Sequence, residues 1–382
     1  MVLLVLVGLA LGFAAKVVSD SGPMRRLEDR AYDRRIRFWR QMVEADTQKL
    51  AIVAIDNDSL ESLRLHWPLP RHAYARIIDS LRKADASAIG VAVLFEAPAS
   101  DDGLLQSAVS GGKDVVLASR INGTALVPPA IRGPSGFTNI PADSDGVVRS
   151  FFLWPAGFKE APQNLALQLL RVYYQDDEFL PRGFGGSPGT TYPIAFAGPP
   201  ETTFQTISVK RILAGGDLKR DVAGKIVLVG STLGGVDHPR ATPFSRKQRD
   251  GGWGPTMSSV EVMANVVYTM MREDESSSMT NALEPISPFE NWCLIVGIVF
   301  ICFQMFARMP SPAALVLTLG FMLLYGMGVC WAILQHHRLL PVVGPLLGFA
   351  VAFAAATLYR LTASGTALVR RIARRQGRTP FE

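Results

Sequence analysis

Three acidic residues fall where apolar runs end. KLAIVAID closes on Asp56, AIGVAVLF runs into Glu96, and KIVLVGSTLGGVD closes on Asp237. In an open parallel sheet the carboxyl ends of the strands are where ligands bind. Three acids on one rim have the chemistry to take a cation or a polar ligand, and Arg71, in WPLPRHAYARIID, stands with them as a ligand-binding candidate. The plainer reading is that each acid caps the helix or turn that follows it, a common use of Asp.

The remaining motifs yield less chemistry. GSTLGG (230–235) follows a strand, as phosphate-binding turns do, but it lacks the lysine and hydroxyl of a P-loop. It also lacks the spaced glycines of a dinucleotide fingerprint, so it reads as a tight turn. Asp143, Asp145 and Arg149 form a DxDGxxR cluster without the distant bidentate Glu of a calcium loop. A turn locked by an Asp–Arg pair is the expectation there. His66, His72 and His238 have no metal-ligand spacing, and Ser59 and Ser231 have neither a nucleophile elbow nor a base. The expectation is therefore no catalytic residue, no metal and no cofactor.

Positioning such residues requires a sheet with helices. Residues 24–44 (MRRLEDRAYDRRIRFWRQMVE) read as a helix, with Tyr32, Ile36, Trp39 and Val43 on one stripe. It reads as a helix packed on its own domain or as a signalling helix between protomers, and both can hold at once. KLAIVAID is a strand, Tyr74, Ile77, Ile78 and Leu81 mark a helix face, and AIGVAVLF is a second strand. Strand, helix, strand is a parallel α/β unit with a right-handed crossover. DVVLAS (114–119) adds a third strand, and residues 137–154 read as a hairpin turning at Asp145-Gly146. NLALQLLRVYY and SSVEVMANVVYTMM (258–271) are helices flanking the strand KIVLVG. The fold class expected is an α/β extracytoplasmic domain with a mainly parallel sheet, joined to an α-helical membrane bundle.

The chain has 382 residues and a net charge of +6. Its mean hydropathy of +0.21 is high for a water-soluble protein and low for one that is membrane throughout. The basic residues gather beside apolar segments and form no single stripe, so nucleic acid is not an expected partner. Cys293, Cys302 and Cys330, the three cysteines, all lie in the apolar last third, leaving none to staple the polar middle.

Residues 292–307, 313–334 and 339–359 are uncharged runs of spanning or near-spanning length. Residues 1–18 are short for a span unless Lys16 snorkels, and an uncleaved anchor is preferred to a signal peptide. Arg370, Arg371, Arg374, Arg375 and Arg378 place the tail in the cytoplasm. Arg25, Arg26, Arg30, Arg34 and Arg35 argue the other way, but carboxylates interleave them. The expected division is an anchor at 1–18, an extracytoplasmic domain at 19–288, three spans at 289–360 and a basic cytoplasmic tail at 361–382. Gly344 and Gly348, extended by Ala352 and Ala356, make a small-residue face for close helix packing. The partner helix is in the same chain or in a second copy, so a homo-oligomer stays open.

These features together resemble bacterial proteins carrying the type 2 CHASE domain. The wording agrees in LEDRAYDRRIRF, IVAIDNDSLESL, WPLPRHAYARIIDSLRKADASAIGVAVLFEAP, DSDGVVRSFFL, GKIVLVGSTLGGVDHPRATPFS and SVEVMANVVYTMM. The resemblance implies an extracytoplasmic sensory module of the bacterial inner membrane, with both termini cytoplasmic and the domain in the periplasm. It also implies Asp where this chain has Ala92 and His where it has Met263, departures that weigh against a polar or metal ligand. Relatives continue into kinases or cyclases, whereas the residues after the last span here are too few to bury a catalytic core.

The leading expectation is a non-catalytic sensor that passes a periplasmic signal to a separate partner through the helices at 24–44 and 258–271. The alternative is a scaffold subunit of an envelope complex. For it, Trp253 and Arg249 in SRKQRDGGWGPT form a partner-binding loop, unless Trp253 folds back on its own domain. The tail arginines Arg370, Arg371, Arg374 and Arg375 would engage the lipid bilayer or an acidic partner surface.

Overall fold

The computed structural model describes residues 2–234, 239–248, 251–274, 284–336 and 338–375. The chain divides into two units, Arg35–Ala282 and Met1–Arg34 with Leu283–Glu382.

The first unit is built on strands β1 (Leu50–Ile55), β2 (Ala88–Leu94), β3 (Val115–Asn122), β4 (Ala125–Val127), β5 (Ser135–Phe137), β6 (Ser150–Phe152), β7 (Thr191–Pro193), β8 (Gln205–Ser208) and β9 (Ile226–Ser231). Seven of them form one sheet in the order β4-β3-β2-β9-β1-β8, with β5 beside β3. Every pairing in it is parallel except β3 with β4. A parallel sheet needs crossover helices, and these cover both faces.

The alternation along the strands sorts their side chains between two cores. Leu50 and Ile52 of β1 and Ile226 and Leu228 of β9 pack with the helices α6 (Leu165–Tyr174) and α9 (Ser259–Asp274). Ala51, Val53 and Ile55, with Val227 and Val229, face the other way. There they meet α4 (Arg71–Lys83), whose Tyr74, Ile77, Ile78 and Leu81 are all buried, and α5 (Asp102–Ser110). Three short helices, α3 (Asn57–Leu63), α7 (Val209–Leu213) and α8 (Lys219–Val222), complete this unit. The mainly parallel α/β sheet expected from the sequence is present.

The hairpin expected over 137–154 is not. Phe137 ends β5, which runs parallel to β3, whereas β6 pairs antiparallel with β7. The turn between them does form. Gly146 N donates to Asp143 O at 2.8 Å, and Gly146 takes the positive φ of 85° that glycine tolerates. The buried Arg149 reaches Asp143 at 2.7 Å and Asp145 at 2.9 Å, the Asp–Arg lock expected. Burial opposes ionisation of Asp145, but the Arg149 hydrogen bond, the Val147 N–H and the guanidinium charge outweigh it and hold this carboxyl below its usual range. Turn chemistry fixes where the chain reverses; which edges its arms join is decided by distant segments.

The second unit holds α1 (Val2–Ser19), the first part of α2 (Gly22–Met42), α10 (Pro288–Phe306), α11 (Ser311–His336) and α12 (Val343–Arg375). Pro288–Phe306, Ser311–Leu334 and Val343–Ser364 are long and apolar enough to cross a membrane, and α1 with α2, bent by 70°, passes the same test as a pair. The small-residue face of α12 is filled from within the chain. A methyl group on Gly344 would stand 2.5 Å from Ile295 Cδ1, and one on Gly348 would stand 3.0 Å from Val299 Cγ2, both on α10. Ala352 and Ala356 are fully buried. Helix α1 joins the same bundle, where Gln304 Nε2 donates to Leu4 O at 3.0 Å. Lys16, at the end of α1, pairs with Asp20 at 2.5 Å and lies over the Trp292 ring.

Candidate functional site: two clefts at the carboxyl edge of the sheet

At the carboxyl edge β9 ends at Ser231, between β2 and β1. Strands β1 and β2 are consecutive in the sequence, yet β9 lies between them. Helix α9 starts over this edge. Ser258 Oγ accepts from Glu261 N and Ser258 N donates to Glu261 Oε2, both at 3.3 Å, a reciprocal cap that satisfies two end groups of the helix. Its first turn comes so near β9 that a Cβ on Gly230 would stand 2.6 Å from Val260 Cβ. Glycine at 230 is what lets the helix seat there.

The first turns of α9 line two clefts. The larger, of about 470 Å³, has an apolar lining that includes Trp67, Ala92, Leu94, Ile140, Val260 and Met263. Three arginines, Arg71, Arg120 and Arg240, also line it. Arg71 is occupied: its Nε donates to Asp102 at 2.9 Å, its Nη2 to Ala97 O at 2.9 Å, and its guanidinium lies 4.5 Å from the Phe95 ring centroid. Arg120 forms a bidentate pair with Glu96 at 2.6 and 3.1 Å, and that hydrogen bond holds the Glu96 carboxyl below the usual range. Arg240 differs. Its backbone is pinned to Met257 by two hydrogen bonds of 2.7 and 2.9 Å. Its half-buried side chain has no hydrogen bond or ion pair among the described residues.

The smaller cleft, of about 300 Å³, is lined by Asp56, Glu201, Thr232, Ser258 and Glu261 among others. Asp56 caps α3 as the plainer reading expected, accepting from Ser59 N at 2.7 Å and Ser59 Oγ at 2.6 Å. Glu261 accepts from Glu201 N at 2.7 Å in addition to its part in the α9 cap. Burial raises its carboxyl above the usual range, against the lowering effect of those hydrogen bonds. Among the described residues no three His, Cys, Asp or Glu are arranged to hold a metal.

The ligand-binding residues named from the sequence are thus dispersed. Asp56 lines the smaller cleft and Arg71 the larger, while Glu96 lines neither and serves Arg120. Asp237 and His238 lie outside the described residues, as does Arg249. Trp253 is half-buried, paired in a short ladder with Lys247, and a Cβ on Gly146 would stand 3.9 Å from its Nε1. The backbone of α12 is described to Arg375; the side chains of Arg370, Arg371, Arg374 and Arg375 lie outside the description. Sequence reasoning missed Arg120, Arg240 and Glu261. Arg120 sits late in a strand and Arg240 in an irregular segment, where no periodicity flags a residue; the S-x-x-E spacing of Ser258 and Glu261 was a readable cap signal. Ala92 and Met263, the two departures from the resemblance, line the same cleft and leave it apolar there.

A family model described as the CHASE2 domain matches residues 2–305. No curated protein matches the chain, and no solved structure does.

Proposed function

The chain belongs to the CHASE2 domain family, whose members are extracytoplasmic sensory domains, and we propose that it is a non-catalytic membrane sensor that hands its signal to a separate protein. The observation carrying this reading is the position of α9. Its first turns line both clefts. Further along, Asn265 Oδ1 accepts from Ala197 N at 2.8 Å and Thr269 Oγ1 from Ala195 N at 3.0 Å. Between those two residues, Phe196 O accepts from Arg40 Nε of α2 at 2.6 Å, and the Arg40 guanidinium lies 5.8 Å from the Tyr268 ring centroid. A three-residue segment is therefore held by α9 on one side and α2 on the other.

Arg40 is a costly anchor. Burial pulls its pKa down from the ordinary arginine value, against the raising effect of Tyr268, and its Nη1 is buried without a hydrogen-bond partner among the described residues. Such a group holds α2 in one place while leaving a polar atom that a second arrangement would satisfy. Nearer its start, α2 carries Glu28, whose carboxylate accepts from Val342 N at 2.9 Å and Val343 N at 2.8 Å at the head of α12. Acidic groups stabilise helix N-termini, so displacement of α2 removes a cap from α12. The proposed route is cleft, α9, α2, α12. A signal travels it only if the ligand favours one of two arrangements of these helices.

In this reading the α/β unit lies in the periplasm, both termini are cytoplasmic, and the membrane is the bacterial inner membrane. The basic end of α12 engages anionic lipid or an acidic partner surface, at about 1 kcal/mol per well-placed basic residue.

Hydrogen exchange on the full chain in lipid nanodiscs tests the route. Arg40→Met should speed exchange at residues 342–346 as well as at the ends of α2 and α9. A change confined to residues around 40, 196 and 268 would end the relay and leave an α/β domain that only binds. That second reading, a scaffold subunit of an envelope complex, gains if a stoichiometric envelope protein and no signalling enzyme co-purifies in mild detergent. The half-buried Trp253, close to Gly146, does not favour it.

A further inference from the structure

We propose that the larger cleft is the sensor's ligand site and that it takes a small organic carboxylate with a flat apolar body, the anionic head held by Arg240. The assignment rests on the sensory reading above and names the ligand class of that same edge.

Two observations carry it. The first concerns charge. Among the described residues no Asp or Glu lines this cleft, whereas three arginines do. Two already have carboxylates, Asp102 for Arg71 and Glu96 for Arg120. Arg240 has none among the described residues, and its backbone is fixed to Met257, two residues before α9 begins. A guanidinium offers a planar fork of donors that suits a carboxylate in bidentate fashion. The start of α9, at Ser259 and Val260, lines the same cleft and adds the positive end of a helix to the same potential. One cation without a counter-charge among the described residues sets a single anionic head; a dianion would leave a charge uncompensated.

The second observation is shape. A cleft of about 470 Å³ falls within the usual range for small-molecule sites. Its floor joins Ala92, Leu94, Ile140, Val260 and Met263, and Trp67 contributes an indole. Beside an indole a flat ring gains stacking area at little entropic cost. A free sugar or a polyol would need partners for several hydroxyls, and Thr138, Asn139 and Ser231, which also line the cleft, already bond to Ser119 O, to Ile121 and to Leu233 N. A head on Arg240 and a body on α9 places the ligand against the helix that the proposed route begins with.

Naphthalene-2-carboxylate and its uncharged amide, naphthalene-2-carboxamide, share a body and differ in the head. Calorimetry on the full chain in nanodiscs should show the carboxylate binding about tenfold or more tightly than the amide, the worth of hydrogen bonds to a charged head. Arg240→Gln should erase that preference while the amide's weak binding persists. Ala92→Leu, which fills the floor and leaves all three arginines, should abolish binding of both. Equal binding of acid and amide, an unaltered preference in Arg240→Gln, or no binding of the carboxylate to the wild-type chain would each overturn the assignment. Hydrogen exchange with the carboxylate bound separates this outcome from that of the sensory reading. Binding without any change at residues 342–346 would sink the relay and keep the ligand class, and absent binding would do the reverse.

Discussion

The two clefts at the carboxyl edge share a wall, the opening turns of α9, and use their charges in opposite ways. In the smaller cleft the acids stabilise the fold. Asp56 closes the end of α3, and Glu261 closes the end of α9 and holds the Glu201 N–H. In the larger cleft two arginines are likewise committed to Asp102 and Glu96, but among the described residues Arg240 has no such partner. A charged group that satisfies the fold's own backbone has little left for a ligand. One fixed in place by its backbone and free at its head is available. Proximity to a sheet edge therefore does not separate structural from functional charges; the count of partners does.

The wall itself is the most sensitive point of this comparison. Gly230→Val puts a branched side chain where a Cβ already stands 2.6 Å from Val260, so α9 must lift from β9. Overpacking of this kind costs about 3 kcal/mol, and both clefts should lose their shape. A lower unfolding midpoint with faster exchange along β9 and α9 is expected, and near-wild-type behaviour would show that the wall yields freely.

Next in size is the contrast between single charges. Asp56→Ala should destabilise the chain by about 1 kcal/mol through loss of a helix cap. Arg240→Gln should stay within about 0.5 kcal/mol of the wild type, as expected for a side chain with no partner to lose among the described residues. Equal costs at the two positions, read by denaturant or thermal unfolding of the full chain, would erase the distinction.

The smallest expected effect is a pH dependence that belongs to the smaller cleft. Burial raises the Glu261 carboxyl above its usual range, so the folded chain binds a proton more readily there than the unfolded chain. Its contribution is full below the ordinary carboxylate value and fades as pH rises through the raised one. Glu261→Gln should flatten that part of the stability profile and leave carboxylate binding in the larger cleft unchanged. A profile that keeps its slope would assign the pH dependence elsewhere.

How much of this was legible depended on whether a feature is local. The strands KLAIVAID and AIGVAVLF, the stripe of Tyr74, Ile77, Ile78 and Leu81, and the Asp143–Arg149 lock all appear where the sequence placed them. Each is set by residues within a few positions of one another. The 137–154 hairpin failed because β6 finds its partner at Thr191–Pro193, and nothing near Phe152 encodes that choice. Of the proposed rim of acids, Asp56 caps the helix next to it, which its neighbours in sequence did announce, whereas Glu96 bonds to Arg120 on β3, a partner that no local pattern announces.

The sequence by itself determined the periodic properties of this protein. Alternating apolar residues with buried neighbours give a parallel sheet covered on both faces, and long uncharged runs give spanning helices, because burial acts on every residue of such a run in turn. Only the tertiary structure decided that Trp67, Ala92, Arg120, Arg240 and Met263 meet in one cleft, and that, among the described residues, Arg240 alone of the cleft's three arginines has no carboxylate. Charge pairing depends on distances between segments far apart in the chain, and those distances exist only once the sheet has been assembled.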